Sequence, residues 1–403
     1  MEPVIPEPGS RDGTPPRIAY VLGTTAGGTG PHVAMLARGC AARGMTVRVF
    51  GPAETGRRYF PGQQDPAAGR TVGGPARPPG FAAVAIGDRP RPGRDLAAVL
   101  RLRRLLRDWS PDVVHAHGLR AGAFAALAGC PGALVVTVHN APPAREPGRV
   151  IHAALERLTA RRADAVTWVS SDLGARMRRA GAHDGGRAVV AAPAFPAAAA
   201  HQVAAARVTL GEAGRPAVFA AGRLTVQKGF GVLIDAATRW QGRDPAPVLA
   251  IAGEGPLAGE LGAQARAAGV PVRFLGRRAD VPALMTAADV VVVPSLWEGQ
   301  PLVLQEALRA GRPLVASRAG GIPDLTGEDG ALLVPPGDAT ALAGAVLSIL
   351  DDPVAAARLA VAATERARGL PDASDAVDSV AALYGRLRRA TAGRINQKAR
   401  NRL

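Results

Sequence analysis

The chain has 403 residues, 47% of them hydrophobic, and a formal net charge of +16 at pH 7. This length exceeds the size at which one hydrophobic core stops growing, so we expect two domains. The two cysteines, Cys40 and Cys130, lie in no spacing typical of a metal or redox site. The composition therefore argues against a disulfide-stapled scaffold and favours a reducing compartment.

The N-terminus holds acids and prolines where a signal peptide needs a basic segment and an apolar run. We expect residues 1–16 to form a disordered tail. A second candidate for a membrane segment, from Ala121 to Val138, carries no charge. Because Gly129-Cys-Pro-Gly132 interrupts it, we predict a helix, a turn and a strand instead of a membrane span.

The positive charge is concentrated in the first half of the chain and in residues 386–403, which carry seven basic side chains and no acidic one. No nucleic-acid motif and no interleaved aromatic residues accompany it, so we expect no nucleic-acid partner. Contact with anionic lipid and an arginine-rich composition explain the surplus equally well, since only Lys228 and Lys398 are lysines. We expect a cytoplasmic protein and leave peripheral contact with the inner face of the membrane open.

From residue 17 onward, short apolar runs alternate with helical stretches. In the first half, strands are predicted over 18–22, 46–50, 113–117, 134–139 and 165–169, and helices over 31–43, 96–109 and 150–162. Strands that alternate with helices of this length indicate parallel, right-handed units in an open sheet. Residues 51–80 are rich in Pro, Gly and Arg without periodicity, and we predict a mobile loop there.

Periodicity fades around residues 191–200, and a second alternating series follows. Its strands are predicted over 217–221, 248–252, 272–275, 290–293, 314–316 and 331–334, and its last helices over 339–350 and 354–368. We therefore expect one doubly wound α/β unit over residues 17–200 and a second over 201–370. A C-terminal helix with a basic tail is expected over 371–403.

The segment from Val290 to Gly311 predicts a buried strand, a tight turn at Gly299 and then a helix. Glu298 precedes the helix start, and Glu306 lies inside the helix. The N–H groups and partial positive charge of a helix N-terminus suit an anion such as a diphosphate. The two carboxylates can then accept hydrogen bonds from hydroxyl groups on either side of that anion, as a nucleotide sugar requires.

Two cations follow the first strand of the second series. In Gly222-Arg-Leu-Thr-Val-Gln-Lys-Gly229, Arg223 and Lys228 lie at the carboxyl edge of the predicted sheet. The planar fork of Arg and the compact charge of Lys both suit a diphosphate.

These elements resemble the retaining glycosyltransferases of family four, also called glycosyl transferases group one. The family pattern Ser-x-x-Glu-Gly-x-x-Leu-x-x-x-Glu-Ala is matched from Ser295 to Ala307, and Gly-Arg-Leu-x-x-x-Lys-Gly from Gly222 to Gly229. The resemblance implies a GT-B fold, in which two Rossmann-like domains face each other across a cleft. It assigns the acceptor side to residues 17–200 and the nucleotide-sugar donor side to residues 201–370.

The resemblance also implies roles for individual residues. Four groups are candidates for catalysis, namely His139, Arg223, Lys228 and Glu298, where His139 corresponds to the histidine that touches the donor sugar. The expected donor-binding positions are Gly27, Gly28, Gly253, Glu254, Arg277, Val281, Gly299, Gln300, Pro301, Leu302 and Glu306. Among the other strand-end histidines, we count His117 as a further candidate and expect His115 to be structural.

No Asp-x-Asp motif and no His and carboxylate cluster with ligand spacing occurs, and Gly27 to Gly30 lacks the full dinucleotide fingerprint. We therefore expect no metal and no cofactor, with Arg223, Lys228 and helix N–H groups stabilising the leaving diphosphate. The family implies that a donor phosphate oxygen, not a protein base, receives the acceptor proton. The acceptor stays open, a lipid-linked one included, as do the donor base and sugar.

Two alternatives keep the same scaffold. A sugar-nucleotide epimerase or hydrolase needs acid and base groups beside the sugar, and a nucleotide-responsive binding protein needs no catalytic set. The glutamate pair favours the transferase over the first alternative, and the intact cations argue against the second.

Overall fold

The computed structural model describes residues 14–24, 27–63, 78–140, 148–191, 195–211 and 214–400, with side chains up to residue 393. These residues divide into two compact units. The first takes its residues from 1–169, 173–190 and 372–403, and the second from 170–172 and 191–371.

The strands are numbered in chain order. They are β1 (Arg17–Leu22), β2 (Thr46–Gly51), β3 (Gly80–Ala83), β4 (Val113–His117), β5 (Ala133–Val138), β6 (Ala165–Trp168), β7 (Gly185–Arg187), β8 (Ala217–Ala221), β9 (Val248–Ala252), β10 (Val272–Gly276), β11 (Val290–Val293), β12 (Leu314–Ser317) and β13 (Leu332–Val334).

The helices are numbered in the same way. They are α1 (Thr29–Ala42), α2 (Ala53–Tyr59), α3 (Pro92–Trp109), α4 (Leu119–Ala128), α5 (Gly148–Arg162), α6 (Ser171–Arg179), α7 (Ala200–Leu210), α8 (Phe230–Ala237), α9 (Ala258–Ala267), α10 (Val281–Ala287), α11 (Leu302–Arg309), α12 (Ile322–Thr326), α13 (Ala339–Asp351), α14 (Pro353–Arg368) and α15 (Ala373–Arg400).

The first unit is built on a parallel sheet of seven strands in the order β3-β2-β1-β4-β5-β6-β7. Residues 18–22 of β1 are fully buried because helices cover both faces of such a sheet. The strand order reverses direction between β1 and β4. Ligands of open α/β sheets bind at this kind of position, beyond the carboxyl ends of the strands.

The second unit contains a parallel sheet of six strands in the order β10-β9-β8-β11-β12-β13. Successive side chains of β11 point to opposite faces, as a strand requires. Val291 and Val293 pack into one core, and Val290 and Val292 pack into the other. The order reverses between β8 and β11, so the loops that follow these two strands meet at the carboxyl edge.

The C-terminal helix α15 belongs to the first unit. It packs on α1, where Gly39 leaves room for the side chain of Val377. Arg43 of α1 forms an ion pair of 2.7 Å with Asp378 and donates a hydrogen bond of 3.0 Å to the hydroxyl of Ser374. We expected a separate segment over residues 371–403, and the structure places its described residues from 372 to 400 in the first unit.

The loop predicted over residues 51–80 is corrected in part. Residues 53–59 form α2, and residues 80–83 form the edge strand β3. The helix is held because Thr55 is buried and Gly56 lies against the ring of Phe81. Residues 64–77 of the expected loop lie outside the described residues, as do residues 1–13 of the expected tail.

The uncharged segment before residue 139 forms α4 and then β5, which confirms the predicted helix, turn and strand. Among the described residues, no helix is both long and apolar enough to cross a membrane.

We predict that Gly39→Ala destabilises the first unit although alanine favours helices. The added Cβ would overlap the Val377 side chain, and overpacking of this kind costs about 1–3 kcal/mol. Gly385→Ala in α15 is the matched control, since its Cβ would meet only the flexible end of Arg389 at 3.5 Å. The free energy of unfolding of the control is expected to rise by up to about 1 kcal/mol, because alanine favours a helix more than glycine does. Equal free energies of unfolding for the two variants, measured by denaturant titration, would contradict the packing of α1 on α15.

Candidate functional site

The candidate catalytic residues of the second unit lie on the two loops at its strand reversal. Gly222 to Gly229 connects β8 to α8, and Pro294 to Pro301 connects β11 to α11. Both loops leave the carboxyl ends of neighbouring strands, the edge where ligands of open α/β sheets bind.

Lys228 and Glu298 form a direct ion pair between these loops. The Glu298 side chain is 6% exposed and that of Lys228 is 19% exposed, so the pair is largely withdrawn from water. Ser295 donates a hydrogen bond of 2.9 Å to the same carboxylate oxygen, and Gln227 Nε2 lies 3.3 Å from the other. The carboxylate is therefore satisfied by three side chains, as a buried charge requires.

The backbone of the two loops is also joined. Leu296 N donates to Gln227 O at 2.8 Å. Gly229 has a φ of +66°, and a Cβ there would overlap the carbonyl of Pro294. Only glycine meets both conditions, because a side chain is strained at positive φ and has no space here. The glycine thus permits the close approach that places Lys228 on Glu298.

A third loop, after β12, supports the backbone of Glu298. Gly320 has a φ of +51°, and a Cβ there would overlap the carbonyl of Glu298. Gly321 N donates a hydrogen bond of 3.0 Å to Gly299 O. The conformation of the predicted turn at Gly299 is thereby fixed by the loop that follows the glutamate helix.

Arg223 lies on the same edge and is exposed. Its loop is bound to the one after β9, since Leu224 N donates to Glu254 O at 2.9 Å and Gly222 N donates to Ala252 O at 2.9 Å. Gly253 has a φ of +147°, which favours glycine, and there is no room for a Cβ beside the carbonyl of Gly222. Backbone hydrogen bonds thus join the loop that contains Arg223 to the loop that contains Gly253. The side chain of Glu254 is exposed.

The remaining donor-side positions surround α10 and α11. Pro301 precedes α11 and Leu302 begins it, and no side chain caps the helix start. Gln300 is half-buried beside them. Glu306 lies within α11, where burial raises the pKa of its carboxyl while the charge of Arg309 opposes that rise. A carboxyl of this kind gains from hydroxyl groups that donate to it.

Arg277 and Val281 flank the start of α10. Val281 is the first residue of the helix, and Arg277 is exposed in the loop before it. The neighbouring Arg278 pairs with Asp280 at 2.7 Å. The ion pair fixes the loop between the two positions.

His139 follows β5 in the first unit and contacts two other histidines. Its Nε2 lies 2.9 Å from Nδ1 of His117, and the two rings are stacked with centroids 5.2 Å apart. His32 of α1 meets both rings edge-on at 6.1 Å. Within the described part of the chain, Nε2 of His117 and Nδ1 of His32 are buried without a hydrogen-bond partner.

His115 is held on both ring nitrogens. Its Nδ1 lies 2.6 Å from the hydroxyl of Tyr384, and its Nε2 lies 2.6 Å from the hydroxyl of Thr137. Tyr384 donates onward to the hydroxyl of Tyr20 at 2.9 Å. Both ring nitrogens of His115 are therefore engaged within the fold, and its structural role stays a prediction. Its ring stacks on His117 at 4.2 Å, which positions that ring in turn.

The cluster keeps its histidines neutral. Burial lowers the pKa of His32 to about 4, and burial together with neighbouring histidine charge lowers the pKa of His115 and His139 to about 3. Burial is also the largest cause of the pKa of His117 lying well below its usual value. All four rings are therefore hydrogen-bonding groups without charge at pH 7.

Gly27 and Gly28 precede α1 at the carboxyl end of β1. Gly27 has a φ of +146° and Gly28 is the residue before the helix, and both are exposed. No side chain caps the helix start. The structure thus places these glycines with His139 in the first unit and places the other candidate residues in the second.

Sequence reasoning missed three groups. Ser295 and Gln227 bind Glu298, and His32 contacts His139. The position of Gln227 next to Lys228 in the sequence could have indicated that it lies at the site, whereas no neighbouring motif indicates the contact of His32 with His139. Among the described residues, no group of three His, Cys, Asp or Glu side chains is arranged to hold a metal ion.

Family models of known proteins match both halves of the chain. A family model described as Glycosyltransferase Family 4 matches residues 26–196, and a model described as Glycosyl transferases group 1 matches residues 215–352. The glycogen synthase of Mycobacterium tuberculosis is 32% identical over 370 residues, which cover 84% of this chain and 86% of that protein.

Solved structures share the fold. HepE of Anabaena in complex with UDP has a TM-score of 0.75 at 21% identity, over 92% of this chain and 100% of that one. The sucrose-phosphate synthase of Thermosynechococcus elongatus has a TM-score of 0.73 at 24% identity, over 93% of this chain and 100% of that one.

We predict that the first unit loses stability as the pH falls from 7 to 5. Unfolded histidines take up protons near pH 6.5, whereas the folded cluster stays neutral to about pH 4. A folded pKa below the unfolded one gives stability that is lost as pH falls, by about 1.4 kcal/mol per pH unit for each histidine.

Hydrogen exchange of the β4 and β5 amides measures the free energy of opening. His32→Asn removes one buried titrating group. The opening free energy of this variant is therefore expected to fall less steeply with decreasing pH, by the contribution of one histidine. An opening free energy that stays level between pH 7 and pH 5 in the unaltered protein would refute the neutral cluster.

Proposed function

The chain belongs to the family 4 glycosyltransferases, and from this we propose that it transfers a sugar from a nucleoside diphosphate sugar to an acceptor hydroxyl with retention of configuration. Its two parallel α/β units and its structural relatives confirm the predicted GT-B fold. Glycosyltransferase activity follows from the family. The donor class, the stereochemistry and metal independence are the proposal.

One observation supports a nucleoside diphosphate sugar as the donor. Lys228 and Glu298 form a buried ion pair at the carboxyl edge of a parallel sheet, next to the uncapped start of α11. Burying an ion pair costs desolvation free energy that a surface pair avoids, so a functional reason for it is favoured. An arriving diphosphate gives the ammonium group of Lys228 a second anionic partner and leaves Glu298 able to accept from a sugar hydroxyl.

The proposed roles follow from this geometry. Arg223 and Lys228 bind the diphosphate and stabilise the charge that develops as it leaves, which is the work a divalent ion does in metal-dependent transferases. Glu306 accepts hydrogen bonds from the ribose, because donated hydroxyl groups stabilise a carboxylate that burial deprives of water.

Neutral His139 offers a ring nitrogen to a sugar hydroxyl. The acceptor attacks the face of the sugar from which the diphosphate departs, and a donor phosphate oxygen takes the acceptor proton. No protein base is needed in this step.

The solved relatives support a nucleotide-sugar donor. HepE was crystallised with UDP and, in a second structure with a TM-score of 0.74, with UDP-glucose. The comparisons do not favour the epimerase or hydrolase alternative, since the relatives are transferases and synthases. Peripheral contact with the membrane stays a prediction.

The activity is tested by incubating the protein with single nucleotide sugars, with and without candidate acceptors that include a lipid extract. We expect release of nucleoside diphosphate that depends on the acceptor, with the anomeric configuration of the product unchanged by NMR. Formation of a sugar isomer without any acceptor would overturn the proposal, and an inverted product would overturn the retaining mechanism.

We predict that Arg223→Gln and Lys228→Gln each weaken kcat/KM by about 2–4 kcal/mol, on the order of 30- to 1,000-fold. Glutamine removes the charge that stabilises the leaving diphosphate, and at position 228 it can still donate a hydrogen bond to Glu298. This limits the instability that a buried, unpaired carboxylate would cause. Arg266→Gln, on the exposed face of α9, is the control with the same charge change. Turnover by either site variant equal to that of the control would refute the assignment.

A further inference from the structure

A cavity of about 220 Å³ lies at the carboxyl edge of the first sheet. It is lined by the residues that follow β1, β2 and β3 and by the start of α3, namely Thr24, Pro52, Ala85, Ile86, Gly87, Asp88, Arg89, Arg91, Arg94 and Asp95. Pockets that enclose whole drug-sized ligands measure roughly 300–1,000 Å³. This cavity therefore fits one end of a ligand.

Three arginines give the cavity its charge. Within the described part of the chain, the guanidinium groups of Arg89, Arg91 and Arg94 form no hydrogen bond and no ion pair with another side chain, and all three residues are exposed. Asp88 is the one lining acid whose charge is not already paired. The three arginines outnumber the two acids of the described lining, so the cavity carries a net positive charge.

The other lining acid is fully engaged. Arg120 reaches both oxygens of Asp95, at 3.0 and 3.1 Å, and Arg91 N donates to Asp95 at 3.0 Å. Burial raises the pKa of Asp95, but these hydrogen bonds and the charges of Arg120 and Arg91 together hold it below its usual value. Arg120 also donates to Gly87 O at 2.6 Å, which fixes the cavity wall. Asp95 therefore shapes the cavity and offsets part of the charge of Arg91.

The side chains of Arg91 and Arg94 place positive charge at the start of α3, where Asp95 is the acidic residue of the first turn. Arg91 occupies the position before the helix, where Ser, Thr, Asp or Asn normally caps free N–H groups, and its side chain makes no cap. Positive charge near a helix N-terminus is electrostatically unfavourable. An anion in the cavity would relieve this repulsion and bind three guanidinium groups that match phosphate geometry.

We propose that this cavity binds a phosphate group carried by the acceptor, held by Arg89, Arg91 and Arg94. The inference rests on the proposed transferase function, which requires an acceptor. The donor residues of the second unit occupy the carboxyl edge of their own sheet, and the cavity occupies the corresponding edge of the first. A phosphorylated sugar and a lipid that bears a phosphate share this chemistry.

Binding of inorganic phosphate at constant ionic strength tests the site directly, without turnover. We expect calorimetry to show saturable binding to the unaltered protein, weakened about tenfold or more in Arg91→Gln/Arg94→Gln, since charge-assisted hydrogen bonds are lost. Arg103→Gln/Arg107→Gln, on the same helix outside the cavity, has the same charge change and is expected to bind normally. Equal phosphate affinity in the two double variants would overturn the proposal.

Turnover then separates this inference from the transferase function. With matched sugars that differ by one phosphate, the cavity variant is expected to raise KM for the phosphorylated acceptor about tenfold or more and to leave KM for the donor unchanged. A KM that rises equally for both acceptors would contradict a phosphate site. Absence of transfer by the unaltered protein would count against the transferase function alone, because phosphate binding is measured without it.

The source of the phosphate is decided by vesicles of phosphatidylcholine with phosphatidic acid. Sedimentation with them that is lost in the cavity variant and kept in the control assigns the phosphate to a lipid. Saturable binding of sugar phosphate with equal sedimentation of both variants assigns it to a soluble acceptor. If neither ligand distinguishes the two variants, the site is refuted.

Discussion

The ion pair between Lys228 and Glu298 is the interaction on which the carboxyl edge of the second unit depends. It joins the loops after β8 and β11, and it can form only because Gly229 brings its own backbone against Pro294 and Gly320 leaves room for the carbonyl of Glu298. Removing one partner would leave an uncompensated buried charge, at a cost of about 3–5 kcal/mol. The pair thus holds the loops in place and keeps a cation and a carboxylate together at the sheet edge.

At the carboxyl ends of β4 and β5, the first unit holds a cluster of uncharged histidines. His115 is held by Tyr384 and Thr137, stacks on His117, and so positions the ring that contacts His139. Tyr384 comes from the C-terminal helix, so the last helix of the chain supports a group at the end of β5. Hydrogen bonds and ring stacking fix the positions of these rings, since a charged imidazole is costly to bury.

Local patterns predicted the two α/β units because each strand is a short, continuous apolar run between helices. They did not predict β3, which has four residues and follows a stretch rich in Gly and Pro. The motifs identified Lys228 and Glu298 but not their contact, since 70 residues separate them. The bond of His115 to Tyr384 spans 269 residues. In the sequence, the arginines of the cavity are visible only as part of the excess of positive charge in the first half of the chain. Their convergence on one cavity depends on how the loop after β3 folds.

The neutrality of His139 bears on how a transferase of this kind handles the acceptor proton. With its pKa lowered to about 3, His139 cannot act as a cationic acid at pH 7, and a proton transferred to it would be held poorly. Its Nε2 is already engaged by His117, so only Nδ1 remains for a ligand. One neutral ring nitrogen can orient a sugar hydroxyl but is a weak proton acceptor. In the proposed mechanism, the departing diphosphate is therefore the better proton acceptor, and Arg223 and Lys228 are the cations proposed to stabilise its charge.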